Sequence, residues 1–154
     1  MTAIVEQQAA QKYARLEVET GVAAASPQRL IVMLYDGAVR ALLGAKAALA
    51  AGDVSARGAR ISKAISIIDE GLRPAVDPVA GGEIADNLLR LYEYIGNRLL
   101  LANLKSDEAS LDEAIALLTE LKGAWEALER QTTREQPAEP EALKPGRAAS
   151  YGRA

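Results

Sequence analysis

The stretch Ser26-Pro27-Gln28-Arg29-Leu30-Ile31-Val32-Met33-Leu34-Tyr35-Asp36-Gly37 decides the fold. A serine hydroxyl is well suited to accept from one of the unpaired amides that open a helix, and a proline at the first helical position loses nothing by lacking an N–H. Leu30, Ile31, Leu34 and Tyr35 then recur at three- and four-residue steps. Ala38, Leu42, Ala45 and Leu49 continue the same face. The spacing predicts an amphipathic helix over 27–50, stopped at Gly52, where a left-handed cap favours glycine.

Reading outward, Asp53 can cap a second helix whose face is Val54, Ile61, Ala64, Ile65, Ile68 and Leu72; Pro74 opposes its continuation past Arg73. Residues 74–82 form the longest internal break. A third helix is expected over 83–104, with Ile84, Leu88, Leu91, Tyr92, Ile95, Leu99 and Ala102 on one side. A fourth opens near Asp107 or Ser110 and carries Leu111, Ala114, Ile115, Leu118, Leu121, Trp125 and Leu128. The short links between helices one and two and between three and four require antiparallel neighbours. The expected fold is all-α: an antiparallel four-helix bundle over residues 26–130. An additional N-terminal segment or short helix, 1–25, precedes it. A tail, 131–154, follows; its apolar period collapses after Arg130, and disorder is expected from about residue 132.

Composition agrees. Forty-nine per cent of the 154 residues are apolar, with no Phe and one Trp, so the core is built from Ala and Leu rather than from the aromatic and β-branched residues a sheet prefers. The net charge is −3 and no basic stripe is present, which argues against nucleic acid and anionic membranes as partners. Residues 1–20 contain neither a basic start nor a signal-length apolar run. No apolar stretch approaches the ~20 residues of a membrane span. With no cysteine, a cytosolic protein is the default, and neither export by a leader nor membrane insertion is expected.

The chain also has no histidine. That removes the Glu-x-x-His pairs of a di-iron bundle, the base of a serine triad and the acceptor of a phosphotransfer domain. Asp69, Glu70, Glu83, Asp86, Glu93, Glu113 and Glu120 sit mainly off the apolar stripes, as solvated charges do. Adjacent carboxylates such as Asp69-Glu70 and Asp107-Glu108 diverge by ~100° around a helix, so no acid/base pair forms. Gly81-Gly82-Glu83 has neither the strand nor the lysine of a phosphate cradle. Neither an enzyme, a metal nor a cofactor is expected.

What remains is apolar surface. A bundle needs about three of every seven positions for its core, whereas Val32, Met33 and Val39 on the first helix and Leu89, Leu100 and Leu101 on the third are extra. Singly these are ordinary surface residues; together they ask for a partner.

Tyr13, the Ser26–Gly37 stretch, Gly52-Asp53, Lys63-Ala64-Ile65-Ser66-Ile67-Ile68, Gly81-Gly82-Glu83-Ile84-Ala85, Leu91-Tyr92-Glu93-Tyr94-Ile95, Arg98-Leu99, Ala102-Asn103-Leu104-Lys105 and Ala124-Trp125 together resemble the flagellar secretion chaperones of flagellin, the FliS family. The likeness runs in order from about residue 13 to 128. It implies a cytoplasmic helical bundle that binds the C-terminal region of flagellin, prevents premature polymerisation and presents its client to the flagellar type III export gate. It further implies that the N-terminal segment covers part of the binding surface when the client is absent. Two departures stand out: a longer spacer, containing Gly21, between Tyr13 and Ser26, and Tyr92-Glu93-Tyr94-Ile95 where Tyr-Asp-Tyr-Met is usual.

The partner-binding candidates are Tyr13, Ile31, Leu34, Tyr35, Tyr92, Ile95, Leu99, Asn103 and Trp125. Tyr13, an aromatic in a polar segment, is the candidate for covering the groove. Ile31, Leu34, Tyr35, Tyr92, Ile95, Leu99 and Trp125 fit either core or groove, core first. Asn103 can bond a client backbone or cap its own helix. The same pattern would also serve a helical adaptor or dimerisation module with no secretion role, and a homodimer stays open.

Overall fold

The structure is a computed structural model and describes residues 26–135. Tyr13 and the 1–25 and 136–154 segments lie outside the described residues. Four helices follow one another: α1 (Pro27–Ala51), α2 (Val54–Ile67), α3 (Pro78–Lys105) and α4 (Glu108–Glu135). No strand occurs among the described residues.

The termini follow from local chemistry. The Arg29 N–H donates to Ser26 Oγ at 3.0 Å, and Gly52 closes α1 with φ 73° while its N–H reaches the Ala48 and Leu49 carbonyls. One residue later the Ala56 N–H donates to Asp53 Oδ1 at 3.0 Å and starts α2. That helix widens into a π turn at Ile68–Leu72 and tightens into a 3-10 turn at Arg73–Ala75, where Pro74 can no longer supply an α-helical donor. Gly71 permits the π turn to press on α1: a Cβ there would stand 3.2 Å from both Leu34 methyls.

Across the bundle the ion pairs Arg29–Glu129 (3.3 Å), Asp36–Lys122 (3.0 Å) and Lys46–Asp112 (2.8 Å) step down α1 as they step up α4, which makes the two antiparallel. These pairs are exposed enough that each contributes little; the core carries the fold. Tyr35, Leu42, Ile61, Ile68, Leu72, Ile95, Leu99, Leu111 and Leu118 are enclosed, with alanines at 38, 41, 45, 64, 102 and 114 between them. The alanines let helix axes approach closely, and each fully buried large side chain contributes about 1.5–3 kcal/mol.

The seam between α2 and α3 is the thinnest between neighbouring helices. Arg57 fastens it at one end. Its Nε donates to Asn103 Oδ1 (3.2 Å), its Nη2 to the Asn103 carbonyl (2.9 Å) and its Nη1 to Ser106 Oγ (2.8 Å), beside the left-handed turn at Ser106, φ 52°. Arg57 is buried, so removing it strands acceptors that water reaches poorly. Arg57→Met is expected to lower stability by about 2 kcal/mol, read as a reduced urea midpoint at constant m-value.

At the start of α4 the Ser110 hydroxyl donates to Asp107 Oδ2 (2.7 Å) and the Ala109 N–H to Oδ1 (3.1 Å). The Ser110 hydroxyl first, then the backbone donors and Arg98, hold the Asp107 carboxyl below its ordinary 3.8. A depressed carboxylate stabilises the fold above the unfolded value and loses that contribution as pH falls through the folded one. Asp107→Asn keeps a capping oxygen that does not titrate. Its loss of stability below pH 3.8 should therefore be shallower than wild type in acid-unfolding curves.

Four expectations need correction. The break placed at 74–82 is shorter: Asp77 caps a helical turn from Pro78 through its side chain, which accepts from Val79 N (3.0 Å) and Ala80 N (3.1 Å), and α3 is kinked at Gly82 rather than started at Glu83. Val54 lies off the core face, 62% exposed, because it is the first residue of α2 at the very end of the bundle. Half of the supposed surplus is absorbed. Val32 is buried and Val39 and Leu89 pack on the core, while Leu100 is exposed. Finally, α4 outruns its apolar period and ends at Glu135, since polar helix formers extend a helix already nucleated by packing.

Candidate functional site

At the pole where α1 begins and α2 ends, the helices diverge around an open, apolar trough of about 520 Å³. Pro27, Gln28 and Ile31 come from α1, Leu72, Ala75 and Val76 from the end of α2, and Ala80, Ile84, Leu88 and Tyr92 from α3; Trp125 of α4 completes the lining. A second trough of about 380 Å³ runs between α3 and α4, over Leu91, Leu121, Ala124 and Leu128. Ile84, Leu88 and Trp125 line both, so the two are one continuous surface.

Local backbone chemistry makes this opening. The π and 3-10 turns carry Leu72 and Val76 away from a straight α2, and the kink at Gly82 swings the Pro78–Gly81 turn off the axis of α3. Ile84, just past the kink, is left 79% exposed in the middle of the apolar surface.

Beneath the trough lies a polar contact. The Tyr35 and Tyr92 hydroxyls hydrogen-bond, with ring centroids 6.5 Å apart and planes at 46°. Burial pushes the Tyr35 phenol above its ordinary 10.0, against the lowering effect of hydrogen bonds with Tyr92 and the Trp125 indole. Burial outweighs both, so Tyr35 stays neutral, and its bond to Tyr92 ties α1 to α3 under the opening.

The candidate residues divide by position. Ile31, Tyr92 and Trp125 converge on the trough. Tyr35, Ile95 and Leu99 are enclosed in the core; a side chain with no free surface has nothing to offer a partner directly, and of the three Tyr35 bonds a lining residue, Tyr92. Leu34 is half-buried against Gly71 at the α1–α2 seam. Asn103 sits at the far end of α3, its two oxygens taken by Arg57. Sequence reasoning overlooked Ile84, Leu72, Val76 and Leu88 as lining. The available signal was an isoleucine two residues after a Gly-Gly pair, an apolar residue beside a backbone break.

The chemistry of this surface is apolar contact. No group of acidic residues able to hold a metal ion occurs among the described residues, and no described helix is long and apolar enough to cross a membrane.

Comparison with known proteins gives a consistent answer. The family described as flagellar protein FliS matches residues 9–132. The chain is 48% identical over 116 residues to the flagellar secretion chaperone FliS of Salmonella typhimurium, covering 75% of this chain and 86% of that one. It is 42% identical over 120 residues to the flagellar secretion chaperone FliSB of Pseudomonas aeruginosa, covering 78% and 94%. Against the flagellar secretion chaperone FliS of Escherichia coli it is 40% identical over 115 residues, covering 75% and 85%.

Proposed function

Because the chain belongs to the FliS family of flagellar secretion chaperones, not of enzymes, we propose that the continuous apolar trough is its client site and that the client is the C-terminal region of flagellin. The observation that carries this reading is a continuous open apolar surface with an exposed Ile84 shared by both of its parts. A filament-forming terminus is amphipathic. Laying its apolar face in a groove removes the surface through which subunits would associate prematurely. Ile31, Tyr92 and Trp125 would line the client contact, with Tyr35 bonded to Tyr92 beneath it.

A client that is disordered beforehand gives up about 2–5 kcal/mol of gross interaction on ordering. A large interface thus remains releasable when components of the flagellar export gate take the client over, in the cytosol and without a cofactor. In this reading residues 26–130 are the chaperone body. Residues 1–25 cover the trough through Tyr13 until a client arrives, and residues 131–154 lie outside the contact.

The test is calorimetry with intact flagellin and with flagellin lacking its last ~40 residues, a segment long enough to bury an interface of ordinary area. Binding lost with the cut supports the assignment; equal affinity for both removes it, and leaves an adaptor or dimerisation module.

A further inference from the structure

Within α3, Gly82 has φ 56° and ψ −131°, a conformation that only glycine adopts readily, in the middle of an otherwise helical run. Its neighbour is equally constrained. A Cβ on Gly81 would stand 2.6 Å from the Ala85 Cβ, a distance that cannot exist. Neither constraint belongs to a straight helix, where residues four apart have Cβ atoms about 5–6 Å from one another and alanine is favoured over glycine about fivefold per site. Both glycines are therefore required by the bent form and by nothing else.

The bend does not gain burial for the turn it displaces. Val79 is 91% exposed and Ile84 79%. The turn is instead a self-contained unit: the Asp77 side chain caps it, and the Gly81 N–H closes it on the Asp77 carbonyl at 2.9 Å. Ala80 and Gly81 of this turn, with Asp77, form one wall of the trough.

Resting on the client site proposed above, we propose that Gly81-Gly82 is a hinge: bent, it sets the Pro78–Gly81 turn as a wall of the trough, and straightened, it withdraws that wall and releases the client. The bent form is the client-binding state. Alanine at both positions should trap the straight one.

The chain has no cysteine and one tryptophan, Trp125, which lines the trough, so both probes needed can be placed cleanly. Spin labels on Ser62→Cys and Val79→Cys of the full chain report the turn against α2, and Trp125 emission reports the wall. With Gly81→Ala/Gly82→Ala added, the label distance should shift on the order of one helical pitch, ~5 Å. Trp125 emission should move to longer wavelength, and affinity for a flagellin C-terminal fragment should fall about tenfold or more. Gly81→Ala alone should act in the same direction, while Gly96→Ala, which has open space and no positive φ, should leave every reading unchanged. An unaltered label distance in both hinge variants overturns the hinge, and a shifted distance with unaltered emission overturns its action on the trough. If the wild-type chain fails to bind the fragment, the client assignment falls while the label and emission readings still decide the hinge.

Discussion

Ile84→Asp is expected to weaken binding of a flagellin C-terminal fragment by about 30-fold or more while leaving the fold intact. Ile84 lines both parts of the trough and stands 79% exposed, so it contributes little to the core. Exposed substitutions of this kind usually change stability by less than about 0.5 kcal/mol. An aspartate two residues past the kink also meets the favourable end of the α3 dipole. In a complex, however, the carboxylate would be buried against apolar groups at the centre of the interface, where truncating an anchor costs about 2 kcal/mol or more. The measurement is titration calorimetry beside a urea melt of the same variant. Unchanged affinity with an unchanged melt would take the trough out of the client site. Charge at Ile31 or Leu34 is a poorer probe, since the first is buried and the second packs against Gly71; either would confound binding with folding.

The largest stability effect is expected at Leu99. It is wholly enclosed on α3 within the common core, so Leu99→Ala removes buried methyl groups and leaves a cavity that helices already in close contact through alanines can only partly collapse. A cost of about 2–5 kcal/mol follows, a large share of the 5–15 kcal/mol typical of a domain. Urea unfolding should show a lower midpoint at unaltered m-value. A loss under about 1 kcal/mol would mean that α3 moves in to fill the space, and that its seam with α2 is softer than the buried contacts imply.

Much of the architecture was readable because it is written locally. Ser26, Gly52 and Asp53 act on amides and carbonyls within four residues of themselves, and the periodicity from Leu30 to Leu49 needs no knowledge of the rest of the chain. What escaped was non-local or strained. Arg57 reads as a surface arginine until α3 returns to place Asn103 and Ser106 beside it, some 46 and 49 residues later. The π turn depends on Leu34 meeting Gly71 across a helix interface. Ile84 fits the apolar stripe of its helix by spacing and is nevertheless outside, because two glycines turn the backbone there.

The site was legible to a similar degree. Three candidates, Ile31, Tyr92 and Trp125, reach the trough; Tyr35, Ile95 and Leu99 were on the right faces but one layer too deep. Periodicity identifies the side of a helix that is covered. It does not say whether another helix or an absent partner covers it.

Arg57 grips α3 at its last turn, and among the described residues no such buried side chain grips its first. A rod held at its root and kinked near its tip gives way first at the kink when load is applied at the open pole. With the proposed client site at that pole, guests of unequal girth would be seated by the same bundle, the yielding confined to the few turns that touch them.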